Sequence, residues 1–489
     1  MMIKNDHRTP KTINSKLKLL LQMACFAVVS IFGWSYLGKK TPTPQDKPPP
    51  DITDADIVTL TKTLVLKHPT EEKTPHTKSL QSLGHKLFFD KGFSANGQVA
   101  CATCHNPELS FTDGKSTSEA IAKTSMNAPT LVNAYAGHWF FWNGRADSLE
   151  SQAMGPVEHP AEHDFNRIKV AHRIKAQYKK DYENIFGPLP KNLPSADALV
   201  PELSTPRVSD EIAAYTLATL GDSNFQKEIL SAAREQRVQP IEVIKNLSAF
   251  GTMGTPNSPD KSSAVTLPKE QLDAVNTVFA NFSRAVAAFE RTIRSNNSPF
   301  DEFATKLETT AYTKQSLTKK FGEQELRGLK IFAGRGRCLV CHNGPYFTDL
   351  QFHNIGLSGQ RKGSLDLGRA QGMLMARDNP FNCRGKYLGT KKPTESCVEL
   401  GYLETENADS VGAFKTPTLR QLQDSRPYGH DGRFASLKDV LHHYNTLKDA
   451  QAVGRAEASL RPLGLSEEEL SAIEAFLLSL QGDVSYFKP

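Results

Sequence analysis

Two copies of the pattern C-x-x-C-H carry the clearest chemistry in this sequence. The first comprises Cys101, Cys104 and His105, and the second comprises Cys338, Cys341 and His342. This spacing is the attachment signal of c-type haem, because two cysteines on one turn reach the two vinyl groups of a porphyrin while the histidine presents its imidazole to the iron. A zinc site built from the cysteine pairs is the alternative, but a histidine directly after the second cysteine suits haem better. We therefore predict two covalently bound c-type haems.

Residues that could handle protons follow the first motif. The segment GPVEHPAEHDF supplies two glutamates and two histidines around two prolines, namely Glu158, His159, Glu162 and His163. An ordinary polar loop is the alternative reading of this segment. Between His105 and Asn127 there is no histidine, and the only methionine is Met126. Two classes of function are open: an enzyme with one open iron, and an electron carrier with both irons closed by protein ligands. The absence of a local histidine favours an open first iron.

The segment SLKDVLHHYN, residues 436–445, could supply a protein ligand to a haem iron in addition to the motif histidine. Its apolar face at three- and four-residue spacing consists of Leu437, Val440, Leu441 and Tyr444. This spacing predicts a helix with Tyr444 pointing inward and with His442 and His443 at the sides or outward. His443 as the ligand is the alternative.

The N-terminal region predicts export. Residues 19–38 contain no charged side chain, and about 20 apolar residues span a bilayer as a helix. Lysines precede this segment, so the positive-inside rule places everything after it outside the cytoplasm. A cleaved signal peptide is the alternative. A buried core helix is disfavoured, because the Pro-rich sequence KKTPTPQDKPPPD follows and behaves as a spacer.

Charge and cysteine usage agree with export. Residues 1–40 carry the whole formal net charge of +6, so nothing argues for a nucleic-acid surface. Of the seven cysteines, Cys383 and Cys397 remain as a pair outside the two motifs. We predict that they form a disulfide, as is plausible outside the cytoplasm, with free buried thiols as the alternative.

The coarse secondary structure is mainly helical. The segment VNTVFANFSRAVAAFERTI has a helical apolar stripe at Val275, Val278, Phe279, Phe282, Val286, Phe289 and Ile293. The segment LSEEELSAIEAFLLSL begins with Ser466 and Glu469 as a capping box. Strand signals are sparse. We therefore predict a mainly α fold of two cytochrome c-like helical lobes, with the boundary near SNNSPFD.

Several segments resemble the di-haem bacterial cytochrome c peroxidase and MauG superfamily. They are LGHKLFFDKGFSANGQVACATCH, NAPTLVNAYAGHWFFWNGRADSLESQAMGPVEHPAEH, RAVAAFERTIRSNNSPFDEF, GLKIFAGRGRCLVCHNGPYFTD and GAFKTPTLRQLQDSRPYGHDGRFASLKDVLHHYN. They recur in the family's order from about Ser82 to the end. The stretch 167–269 matches poorly and looks like an enlarged lobe.

The resemblance implies roles for individual residues. Glu162 falls at the position of the family's catalytic glutamate, which implies general acid-base work on hydrogen peroxide, and Gln152 matches a glutamine of the same pocket. Trp142 matches the tryptophan between the haems, for which a packed core aromatic is the alternative. Three further positions match a calcium site between the haems, whose ligands would be Asn127 and the backbone of Ser425 and Pro427. The family's second-lobe histidine corresponds to His430.

Two departures from the conventional peroxidases resemble MauG. Those enzymes usually carry a histidine on the loop after the first motif, and this sequence has none. They also close the second haem with a methionine, whose place is taken here by Tyr444. An anionic tyrosinate favours higher oxidation states of iron, whereas a thioether raises the haem potential. The resemblance therefore implies an open first haem and a tyrosine-ligated second haem.

Together these features predict a periplasmic oxidoreductase tethered to the inner membrane. We expect an N-terminal anchor or signal at 1–40, a Pro-rich linker at 41–78, a first haem c domain at 79–295 that activates hydrogen peroxide, and a second, electron-transfer domain at 296–489. The donor is an electron-donor protein such as a small cytochrome, or a MauG-type protein substrate. The alternatives are a cytochrome c or quinol peroxidase that removes peroxide, and a non-catalytic di-haem electron carrier.

Overall fold

The computed structural model describes residues 52–68, 76–198, 208–220, 224–250, 267–309, 314–357, 360–361, 364–389, 394–403, 407–450 and 453–489. Residues Asp51–Pro489 form one compact unit. The apolar segment 19–38 and much of the linker 41–78 lie outside the described residues. None of the described helices has the length and apolar character needed to cross a bilayer. The membrane prediction therefore stays a prediction.

The fold is mainly helical, as predicted. The helices are Asp54–Leu64, Thr77–Phe89, Cys101–Cys104, Leu149–Glu158, Arg167–Gln177, Lys179–Phe186, Asp210–Thr219, Asn224–Gln236, Pro240–Phe250, Lys269–Glu290, Pro299–Thr309, Lys314–Phe321, Glu323–Ala333, Arg369–Asp378, Glu395–Leu400, Leu437–Thr446 and Glu467–Leu478. Single 3₁₀ turns cover Lys91–Phe93, Pro107–Leu109, Ala134–Ala136, Cys338–Val340 and Ala408–Ser410. The strands form antiparallel pairs: Arg294–Asn296 with Asp483–Ser485, Phe352–His353 with Phe414–Lys415, and Gln360–Arg361 with Ser364–Leu365.

The first hydrophobic cluster is built around the long helix Lys269–Glu290. Every residue of the predicted apolar stripe in this region is buried, which confirms that prediction. The helix Thr77–Phe89 packs against it so closely that a Cβ atom on Gly84 would lie 1.9 Å from the carbonyl oxygen of Ala285. Glycine is therefore required at the crossing, where backbone meets backbone.

The second hydrophobic cluster repeats this arrangement. The helix Glu323–Ala333 packs against Glu467–Leu478, and a Cβ atom on Gly328 would lie 1.9 Å from the carbonyl oxygen of Ala472. The capping box is confirmed, because the Glu469 backbone N–H donates to Ser466 Oγ at 3.4 Å and the Ser466 N–H donates to a Glu469 carboxylate oxygen at 3.0 Å. In each crossing, one helix thus precedes a C-x-x-C-H motif and the other follows it.

Segments from both chain ends complete these clusters. The helix Asp54–Leu64, which falls within the stretch predicted as a linker, packs against Pro299–Thr309 in the second cluster. The C-terminal strand Asp483–Ser485 pairs with Arg294–Asn296, and Tyr486 packs against the first cluster. Each cluster therefore contains a segment from the opposite end of the chain.

The enlarged region 167–269 contributes to more than one cluster. Its first two helices, Arg167–Gln177 and Lys179–Phe186, pack into the first cluster. Residues of Asp210–Thr219, Asn224–Gln236 and Pro240–Phe250 form a third cluster. Leu367, Ala370, Leu374, Val411 and Val453 pack in that third cluster. The enlarged region therefore contacts residues that follow the second motif.

The predicted disulfide is confirmed. Cys383 and Cys397 are bonded, with their Cα atoms 5.6 Å apart. Asp147 holds both sides of the bridge, since its carboxylate accepts from the Cys383 N–H at 2.7 Å and its carbonyl accepts from Ser396 Oγ at 2.6 Å. Asp147 therefore ties the two bridged segments to the loop before the helix Leu149–Glu158.

Candidate haem site

Both C-x-x-C-H motifs border one continuous cavity. Its lining includes Cys104 and His105 from the first motif and Cys338, Cys341 and His342 from the second. The four motif cysteines are free thiols, and Cys101 packs at the edge of the first hydrophobic cluster. Within the described residues, the groups with three potential metal ligands include no pair of cysteines. This arrangement fits two separate attachment sites.

The two motif histidines are oriented in the same way. His105 Nδ1 lies 3.1 Å from the carbonyl oxygen of Phe111, and His342 Nδ1 lies 2.9 Å from that of Phe347. A carbonyl can only accept, so Nδ1 carries the proton and Nε2 keeps its lone pair for iron. Both histidines border the cavity. The residues present therefore fit haem at both motifs.

Phe111 and Phe347 are functional residues that sequence reasoning missed. Both phenylalanines are fully buried, and both have positive φ, 57° and 53°. This left-handed conformation is uncommon for a bulky residue and turns the carbonyl towards the histidine. A signal was present, because each motif is followed within ten residues by the same triplet, Phe-Thr-Asp.

The polar residues after the first motif separate into two groups. Glu162 and His159 border the cavity, with a His159 Nδ1 to Glu162 Oε1 distance of 3.5 Å. Glu158 instead forms a bidentate ion pair with Arg167, at 2.8 and 2.7 Å. His163 is buried, and its Nδ1 lies 2.9 Å from the carbonyl oxygen of Phe93. Glu162 is thus the glutamate of this segment that faces the cavity.

Two further polar groups border the cavity with Glu162. Gln152, on the helix Leu149–Glu158, has a buried Oε1 atom without a partner among the described residues. Arg145, which sequence reasoning missed, places its guanidinium carbon 3.4 Å from the centroid of the Phe141 ring. Burial lowers the pKa of Arg145 to about 10, with the Glu162 charge acting in the opposite direction. Arg145 is therefore still a cation at neutral pH.

Trp142 contacts Asn127, which follows the first motif in the sequence, and His430, which follows the second. Its indole N–H donates to the Asn127 carbonyl at 2.9 Å, and the Asn127 N–H donates to the His430 carbonyl at 2.9 Å. The indole ring meets the His430 ring edge to face at 6.4 Å, and Phe414 stacks on His430 at 3.7 Å. Trp142 is therefore packed against His430 and also borders the cavity, and its place between the haems stays a prediction.

The predicted calcium ligands all border the cavity. Asn127, Ser425 and Pro427 offer one amide and two carbonyl oxygens, which are hard donors of the kind that Ca²⁺ takes. The Asn127 side-chain nitrogen donates to the Lys115 carbonyl at 2.8 Å. This set contains no carboxylate, and the calcium site stays a prediction.

A partly buried lysine also borders the cavity. The Lys415 N–H donates to the Trp142 carbonyl at 2.8 Å, and burial lowers the pKa of the Lys415 ammonium to about 8. A cation in this position suits the carboxylates of a porphyrin, because pairing would offset the cost of burying the charge. Lys415 was not predicted from the sequence.

The helix Leu437–Thr446 presents Tyr444 as expected. Leu437, Val440, Leu441 and Tyr444 all border the cavity. Burial raises the pKa of Tyr444, and the nearby Cys338 and Cys341 contribute in the same direction. Within the described part of the chain, the Tyr444 hydroxyl has no hydrogen-bond partner.

The neighbouring histidines differ from each other. His443, which was predicted to lie at the side or outward, is buried, and its Nε2 lies 3.0 Å from the Ile355 carbonyl. The helix packs on two surfaces, so a side position is also covered. His442 is 38% exposed, with its Nε2 3.7 Å from a Glu467 oxygen. Met126 also borders the cavity, so the open first iron stays a prediction.

The chain is similar to di-haem cytochrome c peroxidases and to MauG proteins. A family model described as di-haem cytochrome c peroxidase matches residues 78–236. The methylamine utilization protein MauG of Methylorubrum extorquens is 28% identical over 417 residues, which covers 85% of this chain and 82% of that protein. The cytochrome c551 peroxidase of Nitrosomonas europaea is 24% identical over 425 residues, covering 86% and 85%. The diheme peroxidase BthA from Burkholderia thailandensis has a TM-score of 0.49 at 17% identity, covering 91% and 96%.

Proposed function

We propose that the chain is a member of the di-haem cytochrome c peroxidase and MauG superfamily and a peroxidase-type oxidoreductase that activates hydrogen peroxide at the first haem. It takes electrons from a donor through the second haem. The single observation that carries this proposal is the continuous cavity. That cavity is bordered by both attachment motifs, by Glu162 near the first and by Tyr444 near the second.

The haems would be held by residues of both motifs. These residues are Cys101, Cys104 and His105 for the first haem, and Cys338, Cys341, His342 and Tyr444 for the second. When bound, the two haems supply the iron that reacts with peroxide and holds its oxidising equivalents. The Phe111 and Phe347 carbonyls keep the two histidines in the tautomer that such a ligand needs.

Glu162 is the proton-transfer group in this proposal. Its carboxylate takes a proton from one peroxide oxygen and returns it to the leaving oxygen, so that the O–O bond breaks heterolytically. Gln152 has a free buried acceptor in the same cavity and orients the peroxide. The Arg145 cation borders the same cavity as Glu162.

Tyr444 decides between the two enzymatic versions. Burial opposes its ionisation, so a Tyr444 phenolate in this position requires a strong cationic partner, as a ferric iron would be. A second haem held by a Tyr444 tyrosinate would be a poor acceptor from a soluble cytochrome, which favours a MauG-type protein substrate. The alternative is a peroxidase that takes electrons from a small cytochrome or a quinol. A non-catalytic electron carrier is the second alternative.

The remaining parts of the proposal concern location and calcium. The uncharged segment 19–38 and the lysines before it support a periplasmic enzyme tethered to the inner membrane, with a cleaved signal as the alternative. The disulfide between Cys383 and Cys397 agrees with an oxidising compartment. A calcium ion at Asn127, Ser425 and Pro427 would join residues from both halves of the chain.

The test is a spectrum of the purified, fully ferric protein before and after one equivalent of hydrogen peroxide, with no reductant present. An immediate and long-lived change in the visible and near-infrared region supports an open first haem and Tyr444 as a ligand. No reaction until one haem is reduced contradicts the Tyr444 assignment and leaves a peroxide-scavenging enzyme.

A variant pair tests the role of Glu162. Glu162→Gln keeps the size of the side chain but removes its basicity, and the rate of reaction with peroxide should fall by about 10²–10⁴-fold. The matched control is Glu108→Gln, an exposed glutamate on the loop after the first motif, which should react like the parent. Unchanged peroxide reactivity in Glu162→Gln would support the electron carrier.

A further inference from the structure

Three aromatic side chains outside the proposed mechanism form a hydrogen-bonded row that begins at the cavity. Tyr346 lies four residues after His342 and borders the cavity. Its hydroxyl lies 3.0 Å from that of Tyr135, and the Tyr135 hydroxyl lies 2.6 Å from His68 Nδ1. His68 Nε2 lies 2.8 Å from the Ser295 carbonyl oxygen. The row therefore leads from the cavity to a histidine in the segment 52–68.

The Ser295 carbonyl fixes the direction of every proton in this row. A carbonyl oxygen only accepts, so His68 Nε2 must carry a proton. In a neutral imidazole Nδ1 then has the lone pair and accepts from the Tyr135 hydroxyl. Because Tyr135 donates to His68, it accepts from Tyr346. Each hydroxyl thus donates towards the histidine.

Electrostatics keep these groups in the required protonation states. Burial lowers the pKa of His68, and the Arg294 and Arg420 charges act in the same direction, so the imidazole is neutral at neutral pH. Burial also raises the pKa of Tyr135, as does its hydrogen bond with Tyr346. The Arg294 guanidinium lies 5.0 Å from the Tyr135 ring centroid. Tyr135 is therefore a neutral phenol hydrogen-bonded to an unprotonated base.

We propose that Tyr135 is a redox-active tyrosine that holds one oxidising equivalent outside the haem cavity, with His68 as its proton acceptor. The inference rests on the proposed function, which supplies oxidising equivalents from hydrogen peroxide. Tyr135 loses one electron through Tyr346 towards the cavity, and its phenolic proton moves to His68 Nδ1. The products are a neutral tyrosyl radical and an imidazolium with protons on both nitrogens. When a donor returns the electron, the proton moves back.

The geometry distinguishes Tyr135 from another tyrosine at the same cavity. Tyr428 also borders the cavity, but its hydroxyl donates to the Leu422 carbonyl at 2.7 Å. A backbone carbonyl is not a base at neutral pH, so oxidation of Tyr428 has no local proton acceptor. Tyr428 is therefore the matched control for a tyrosine whose hydroxyl faces a histidine.

The test is electron paramagnetic resonance of the holoenzyme, freeze-quenched after one equivalent of hydrogen peroxide, with ring-deuterated tyrosine to assign the radical. A tyrosyl signal should appear in the parent and in Tyr428→Phe. It should disappear in Tyr135→Phe and fall at least tenfold in His68→Gln, whose amide can accept the hydrogen bond but not the proton. An equal signal in all four proteins, or none in the parent while the haem spectrum changes, overturns the inference and leaves the proposed function intact.

A second oxidant separates the two failures. If peroxide leaves the haem spectrum unchanged, the proposed function fails, and the inference is then tested with a photogenerated ruthenium(III) polypyridyl oxidant on the same proteins. The parent should still form a radical that Tyr135→Phe lacks, with slower formation in deuterium oxide. No difference between the parent and Tyr135→Phe under this oxidant overturns the inference.

Discussion

Breaking the buried ion pair between Arg420 and Asp301 by removing the arginine should strongly destabilise the protein. Arg420 is 1% exposed, and its Nη1 and Nη2 donate to the two Asp301 oxygens at 2.7 and 3.0 Å. It also donates to the carbonyls of Pro345 at 2.6 Å and Leu64 at 3.4 Å. Arg420 therefore joins the N-terminal helix, the loop after the second motif and the helix Pro299–Thr309.

Arg420→Met keeps most of the side-chain volume but leaves the Asp301 carboxylate buried without its cation. Removing one partner of such a pair costs about 3–5 kcal/mol in the free energy of unfolding. Urea unfolding followed by circular dichroism measures this loss. The control is Lys306→Met, because the ion pair of Lys306 with Glu302 at 3.3 Å is exposed on both sides, and this change should be within experimental error.

The double variant separates the ion pair from the packing of the arginine. Arg420→Met with Asp301→Asn removes the uncompensated charge, while Ser298 Oγ and the Leu66 N–H still meet the side chain at position 301. The double variant should recover about 1–3 kcal/mol of the loss. A single-variant loss below about 1 kcal/mol would refute the reasoning, because exposed pairs give values of that size.

Three further predictions follow from the fold. Burial disfavours ionisation of Asp301, but hydrogen bonds and the charge of Arg420 hold its pKa below the ordinary value. The stabilisation by the ionised Asp301 is therefore present above about pH 4 and is lost as the pH falls through the folded-state pKa. The stability difference between the parent and Arg420→Met should therefore shrink in acid, as measured by urea unfolding across pH 3–6. Gly84→Ala and Gly328→Ala should each destabilise the protein by about 1–3 kcal/mol, because the new Cβ would overlap a carbonyl oxygen; thermal melts equal to that of the parent would contradict this. Replacing both cysteines of the disulfide by serine removes a bridge with a sequence separation of 14 and should cost about 3 kcal/mol, which denaturant unfolding measures.

The features that could be predicted from the sequence are those in which a local pattern has one physical explanation. The apolar stripe of residues 275–293, the capping box at Ser466 and the inward face of residues 437–444 each depend on helical periodicity or on a three-residue spacing. Each is present in the structure. The disulfide was predicted from elimination and compartment rather than from geometry.

The features that were missed depend on contacts between distant segments or on weak local signals. The helix Asp54–Leu64 had a local signal, since Thr53 and Asp56 form a capping box. The prolines before it indicated a linker instead. The pairing of Arg420 with Asp301 and the row from Tyr346 to His68 join residues far apart in the chain, and no periodicity reports them. The burial of His443 depends on Ile355, which comes from another segment.

An N-terminal helix packs in the second hydrophobic cluster and C-terminal residues pack against the first, which has a consequence for biogenesis. The second cluster needs the helix Asp54–Leu64, and the first packs against residues near the C-terminus. A chain synthesised from its N-terminus cannot complete either cluster until its last residues are available. Because this packing is completed late, we expect thioether formation to precede closure of the cavity. Loss of the last few residues should thus impair maturation of the first haem site, although that site lies far away in the sequence.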